Sequence, residues 1–144
     1  MKNRALGYLA RREYAEAELY RKLQPFSEST LQLQELMHDL KAQGYLSDVR
    51  FAQQFIEVYS RRFGVRRISY ELKQRGLSDE TIAPFLDQLN AQEFEYARQV
   101  WEKRFGQFKK DVLEREKQKR FLQNRGFSYD SIQRLFSFLD ESEE

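Results

Sequence analysis

Four arginines, Arg61, Arg62, Arg66 and Arg67, flank Gly64 near the middle of this 144-residue chain. A guanidinium is permanently charged and presents a planar fork of donors, which suits it to carboxylates and phosphates. Lys73 and Arg75 follow, so residues 61–75 hold six basic residues against one acid, Glu71. The whole chain carries a net charge of only +2. Positive charge is therefore gathered in one place, while the end of the chain, with Asp140, Glu141, Glu143 and Glu144, is acidic. That segregation points to a charged partner surface. Cations in the last turn of a helix complement its dipole, which competes with a binding role for Lys73 and Arg75 just before Gly76. Arg66 and Arg67 begin a helix, where the dipole opposes them, so the contact role is assigned first to Arg61–Arg67. Lys117, Lys119, Arg120 and Arg125 form a second, weaker candidate set. Tyr59, Phe63 and Tyr70 lie near the first set and could stack on nucleobases, although a stripe at helical spacing more often forms core.

Catalytic chemistry finds no frame. The sole histidine, His38, has no nucleophile or acid at a suitable spacing, and there is no cysteine. Glu13, Glu16 and Glu18, like Asp111, Glu114 and Glu116, alternate with bases and read as solvated helix faces. Neither a GxxxxGK[ST] nor a GxGxxG phosphate loop occurs. No catalytic, cofactor or metal site is read, and the expectation is a protein that is not an enzyme.

The elements that carry these residues read as helices. Hydrophobic residues make up 40% of the chain and charged ones 33%, with two prolines and six glycines; so few breakers favour an all-α fold. No apolar run reaches membrane length and no signal-peptide core is present, so a cytoplasmic protein is expected. Nine helices are expected. Leu6, Leu9 and Ala10 mark the first, and Ala15, Leu19 and Leu23 the second, which Gln24-Pro25 stops. Leu31, Met37 and Leu40 line a third helix running to Gly44. Ser47 caps a fourth with Phe51, Phe55 and Tyr59 along one stripe. Ile68 and Leu72 mark a fifth, closed by Gly76. Ser78 opens a sixth with Ile82, Phe85, Leu86 and Leu89 inward, in which Pro84 predicts a kink or a later start. Phe94, Ala97, Trp101 and Phe105 give a seventh, ending at Gly106. Phe108, Val112 and Leu113 begin an eighth. Ser128 caps a ninth with Ile132, Leu135, Phe136 and Leu139 buried, before a frayed acidic end.

One joint recurs. An apolar residue, a serine and an apolar residue four further on appear as Phe26-Ser27…Leu31, Leu77-Ser78…Ile82 and Phe127-Ser128…Ile132, the serines 51 and 50 residues apart. This predicts three tandem three-helix units, over residues 1–46, 47–91 and 92–144, each too small to bury a core alone.

With these motifs the chain resembles the RecX regulatory proteins of bacteria. The resemblance rests on ALxxLxxREYxxxELxxKL from Ala5 to Leu23, GYLSDxRFA from Gly44 to Ala52, GxxRIxxELxxRGLS from Gly64 to Ser78, and RFLxxRGFSxDxI from Arg120 to Ile132. Pro84, and a first helix with almost nothing ahead of it, depart from the family pattern. The resemblance implies an elongated, curved array of three-helix units and a monomer without cofactors. It further implies a modulator, mainly an inhibitor, that lodges in the groove of the RecA–DNA filament. There it suppresses filament extension, ATP hydrolysis, strand exchange and coprotease activity, and so affects recombination, DNA repair and the SOS response. Some members also bind single- or double-stranded DNA. The residues themselves also allow a stand-alone DNA-binding helical module acting through the basic patch.

Overall fold

The computed structural model describes residues 1–108 and 110–142. They are all-α: α1 (Lys2–Arg11), α2 (Glu16–Leu23), a 3-10 turn (Gln24–Phe26), α3 (Thr30–Ala42), α4 (Asp48–Tyr59), α5 (Val65–Gln74), α6 (Asp79–Arg104), α7 (Val112–Asn124) and α8 (Tyr129–Ser142).

Local chemistry sets most of these ends. Ser47, Ser78 and Ser128 accept hydrogen bonds through Oγ from the N–H groups of Arg50, Thr81 and Ser131, each at 3.2 Å. Asp111 does the same for α7, accepting from Leu113 N–H at 2.8 Å. Each bond satisfies an amide that has no partner inside its own helix. The helices before Ser78 and Ser128 close identically, with Leu77 N–H on Leu72 C=O and Phe127 N–H on Leu122 C=O, both at 3.2 Å. That closure needs a left-handed residue, supplied by Gly76 (φ +88°) and Gly126 (φ +92°).

The expected first copy of the joint differs. Ser29, not Ser27, caps α3, accepting from Gln32 N–H at 3.3 Å. Ser27 instead forms a local turn with Ser29, because Pro25 holds the preceding residues in a 3-10 turn. The register of α3 shifts accordingly: Leu33 is buried and Leu31 is 63% exposed.

The expected sixth and seventh helices are one. α6 runs unbroken through Pro84, and it starts at Asp79, so the later start does not occur. Asn90-Ala91-Gln92 contains no stop signal, and the exposed Pro84 costs the helix one internal hydrogen bond and crowds the Glu80 carbonyl without ending it. At the start of α7 the expected apolar positions Val112 and Leu113 are also exposed; Gln118 and Leu122 are its buried residues. The acidic end is helical to Ser142. Glu143 and Glu144, also expected to fray, lie outside the described residues.

Two compact units result. One comprises Met1–Phe55 and Leu72–Ile82, and the other Ile56–Glu71 and Ala83–Glu144. In the first, Ala5, Leu19, Leu23, Leu33, Met37 and Leu40 form a core with Tyr14 and Leu46. In the second, Trp101, Leu122, Phe127, Leu135 and Phe136 anchor another. Trp101 Nε1–H donates to Gln118 Oε1 at 2.7 Å, which satisfies both polar groups inside that core.

Candidate functional site

The second unit joins two loops that lie half the chain apart. Gly64 N–H donates to Arg125 C=O at 2.9 Å and Arg66 N–H to Gly126 C=O at 3.1 Å. The approach is so close that a Cβ on Gly64 would lie 2.5 Å from Phe127 backbone, and one on Gly126 would lie 2.4 Å from Arg67 Cβ. Only glycine fits at either position.

A buried carboxylate locks the same junction. Glu93, on α6, is 2% exposed. Its Oε2 accepts from Val65 N–H, the first residue of α5, at 2.9 Å. Its Oε1 accepts from Ser128 N–H at 3.1 Å and from the hydroxyls of Ser128 and Ser131 at 2.5 and 2.6 Å. One side chain therefore serves the positive N-terminal ends of two helices. Sequence reading missed Glu93, one carboxylate on a helix rich in them; the apolar neighbours Leu89 and Ala97, four residues to either side, were the signal that it faces inward.

Cations gather over this junction. Arg61 and Arg62 occupy the turn after α4, and Arg67 the first turn of α5. With Lys103 from the end of α6, they line a cleft of about 650 Å³ whose floor includes Tyr59 and Phe63. A contiguous cleft of about 310 Å³ shares Arg61, Arg62 and Lys103 and adds Arg104 and Arg125. The guanidiniums stack on aromatic rings in a chain. Arg67 lies 5.1 Å from the Phe63 centroid and Arg125 5.3 Å from the same ring. Arg125 also lies 5.0 Å from Phe121, where Arg104 follows at 5.4 Å. Tyr59 stacks on Phe63 at 5.7 Å, and Phe105 meets Phe121 edge-on at 5.4 Å. Stacking orients each guanidinium while leaving its N–H edge available.

The candidate residues thus separate. Arg61, Arg62, Arg67 and Arg125 converge on the cleft. Arg66 is exposed on α5 with only its backbone committed to the junction. Lys73 and Arg75 belong to the first unit, where Lys73 lies 3.6 Å from Asp79 and Arg75 sits 4.7 Å from the Phe55 ring. On α7, Lys117 and Arg120 are exposed, and Lys119 sits 5.4 Å from the Phe136 ring and 3.9 Å from Glu116. Lys103 and Arg104 were missed: they read as ordinary dipole-complementing residues at a helix end. Tyr70, expected as a stacking candidate, is 57% exposed and lines neither cleft.

The chemistry available is electrostatic capture of anions. Among the described residues no group of three or more His, Asp or Glu could hold a metal ion, and no helix is long and apolar enough to cross a membrane.

Comparison with known proteins agrees with the motifs. Residues 47–84 match the family description "RecX, second three-helix domain", and residues 91–136 match "RecX, third three-helix domain". The Regulatory protein RecX of Leptothrix cholodnii is 40% identical over 97% of this chain and 89% of its own. That of Ralstonia pickettii is 40% identical over 98% of this chain and 89% of its own. The crystal structure of RecX from Lactobacillus salivarius shares the fold, with a TM-score of 0.79 at 23% identity over 96% of this chain and 94% of that one. By identity over nearly its whole length, this chain belongs to the RecX family of regulatory proteins.

Proposed function

We propose that the protein regulates the RecA recombinase, mainly as an inhibitor, by lodging in the groove of the RecA–DNA filament. In that role it suppresses filament extension, ATP hydrolysis, strand exchange and coprotease activity, and so moderates recombination, DNA repair and the SOS response. The supporting observation is family membership across nearly the full chain. The cationic cleft fits the role, because a filament of protein on DNA offers both carboxylates and phosphates to it. Three tandem helical units, near residues 1–46, 47–91 and 92–144, would give one chain several contact surfaces along neighbouring RecA protomers.

The test is RecA ATPase on single-stranded DNA titrated with this protein. Inhibition at stoichiometric amounts is expected, and no inhibition there would sink the proposal. Tight DNA binding with no effect on RecA would favour the alternative, a stand-alone DNA-binding module.

A further inference from the structure

We infer that the cleft lined by Arg61, Arg62, Lys103, Arg104 and Arg125 binds a chain of phosphates and does not read the bases attached to them. This deepens the reading of the cleft as the regulator's contact surface and rests on it.

The first observation is uncompensated charge. The cleft walls carry one carboxylate, Glu71, and Arg67 Nε already donates to it at 3.2 Å. Among the described residues, none of Arg61, Arg62, Lys103, Arg104 and Arg125 has an acidic partner within ion-pair distance. Elsewhere the same protein pairs its exposed cations readily, as in Arg12–Glu18, Arg50–Glu13 and Arg98 with both Glu95 and Glu102. Five like charges lining adjoining clefts repel one another, and an anion entering between them relieves that repulsion. Three of the five line both clefts, so the favourable region continues from one to the next and suits a string of anions better than a single ion.

The second observation concerns the rings. A base-stacking platform needs a free aromatic face. Phe63 is in contact with two guanidiniums and with Tyr59. Phe121 is in contact with two guanidiniums and with Phe105. The protein's own side chains occupy the positions a base would need. The rings thus serve to aim the guanidiniums, whose donor edges match phosphate oxygens in pairs. Phosphates reach such a site from two sources, a nucleic-acid backbone or free polyphosphate.

The experiment measures binding of the full chain to three labelled probes by fluorescence anisotropy. They are oligothymidylate, an abasic phosphodiester of equal length, and inorganic polyphosphate. Oligothymidylate and the abasic chain are expected to bind within about threefold of each other, since loss of even one stacked base would cost roughly fivefold or more. The log–log salt slope on single strands should be roughly −3.5, at about −0.7 for each of five contacts. Replacing Arg61 and Arg62, which are exposed in a turn, by alanine should reduce the slope by roughly 1.4, with an unchanged circular dichroism spectrum. Binding of both oligomers supports the inference and names the backbone as the source. Binding of polyphosphate alone supports it and names the free polymer. Binding of oligothymidylate without the abasic chain, or failure of all three probes, overturns it. Inhibition of RecA by a protein that binds none of the probes sinks the phosphate site alone. Probe binding without any effect on RecA sinks the regulatory reading alone.

Discussion

Two glycines in the same protein carry opposite predictions. Gly7 lies inside α1 with nothing within 4 Å of where a Cβ would stand. Gly7→Ala should therefore stabilise the protein by about 0.5–1 kcal/mol through lower chain entropy in the unfolded state. Gly126 has φ +92° and faces Arg67 backbone, so Gly126→Ala should cost more than about 2 kcal/mol. Urea denaturation of both variants checks the pair, and equal midpoints would remove the basis for the Gly64–Gly126 junction. Glu93 belongs with Gly126. Glu93→Ala strips acceptors from two backbone amides and two hydroxyls. At about 1–3 kcal/mol for a buried donor left unpaired, a loss of about 3 kcal/mol is expected, with Glu93→Gln falling between alanine and wild type. Part of the need for glycine at position 126 is local, since helix closure takes a left-handed residue there. The need for glycine at position 64 is not local and so was not legible, because its reason lies on another loop.

Elements were legible where their ends are set by neighbours in sequence. Ser47, Ser78 and Ser128 each cap a helix because the acceptor and the free amides lie within three residues. The joint at Ser27 misled because serines at 27 and 29 both offer a cap, and the 3-10 turn over Pro25 decided between them. The continuity of α6 was hidden for another reason: the three-unit repeat placed a boundary after residue 91, whereas the burial of Leu89, Glu93 and Ala97 that carries the helix onward is tertiary. Pro84→Ala should restore one helical hydrogen bond, relieve the crowding of the preceding turn and raise stability by about 3 kcal/mol, read from thermal unfolding; a fall would mean the proline's rigidity matters more than its missing donor. The start of α2 is sensitive to pH. Burial pushes the Glu18 carboxyl up, but hydrogen bonds from Arg12 and from Ala15 N–H outweigh it and hold it below the usual range. A carboxyl depressed in the folded state adds stability above its unfolded pKa of about 4.3, and that increment is lost as pH falls through the folded value. The advantage of wild type over Glu18→Gln should thus shrink on going from about pH 7 to about pH 3, as chemical denaturation at each pH would show. An advantage that grows on acidification would reverse the assigned sign.

For the molecule as a whole, the family and the all-α class were legible because four motifs span most of the chain, while the site was half legible. Arg61, Arg62 and Arg67 announced themselves by clustering. Arg125, ranked lower, joins them only through the Gly64–Gly126 junction, and Lys103 and Arg104 were not anticipated at all. If the cleft contacts the filament, replacing Arg61 and Arg62 by alanine should raise the concentration for half-inhibition of RecA ATPase roughly tenfold at low salt and less at high salt, where screening already weakens the wild type. An unchanged inhibition curve would move the contact surface elsewhere. The junction also has a consequence for synthesis. Arg61, Arg62, Arg66 and Arg67 leave the ribosome long before Arg125 and the loop that receives Gly64. Until then the arginines have no completed cleft to belong to, and pairing segments so far apart in sequence is intrinsically slow. A nascent or prematurely terminated chain therefore carries much of the charge but none of the preorganised geometry. If the cleft captures phosphate chains, that capture begins only once the loop of Arg125 and Gly126 has received Gly64.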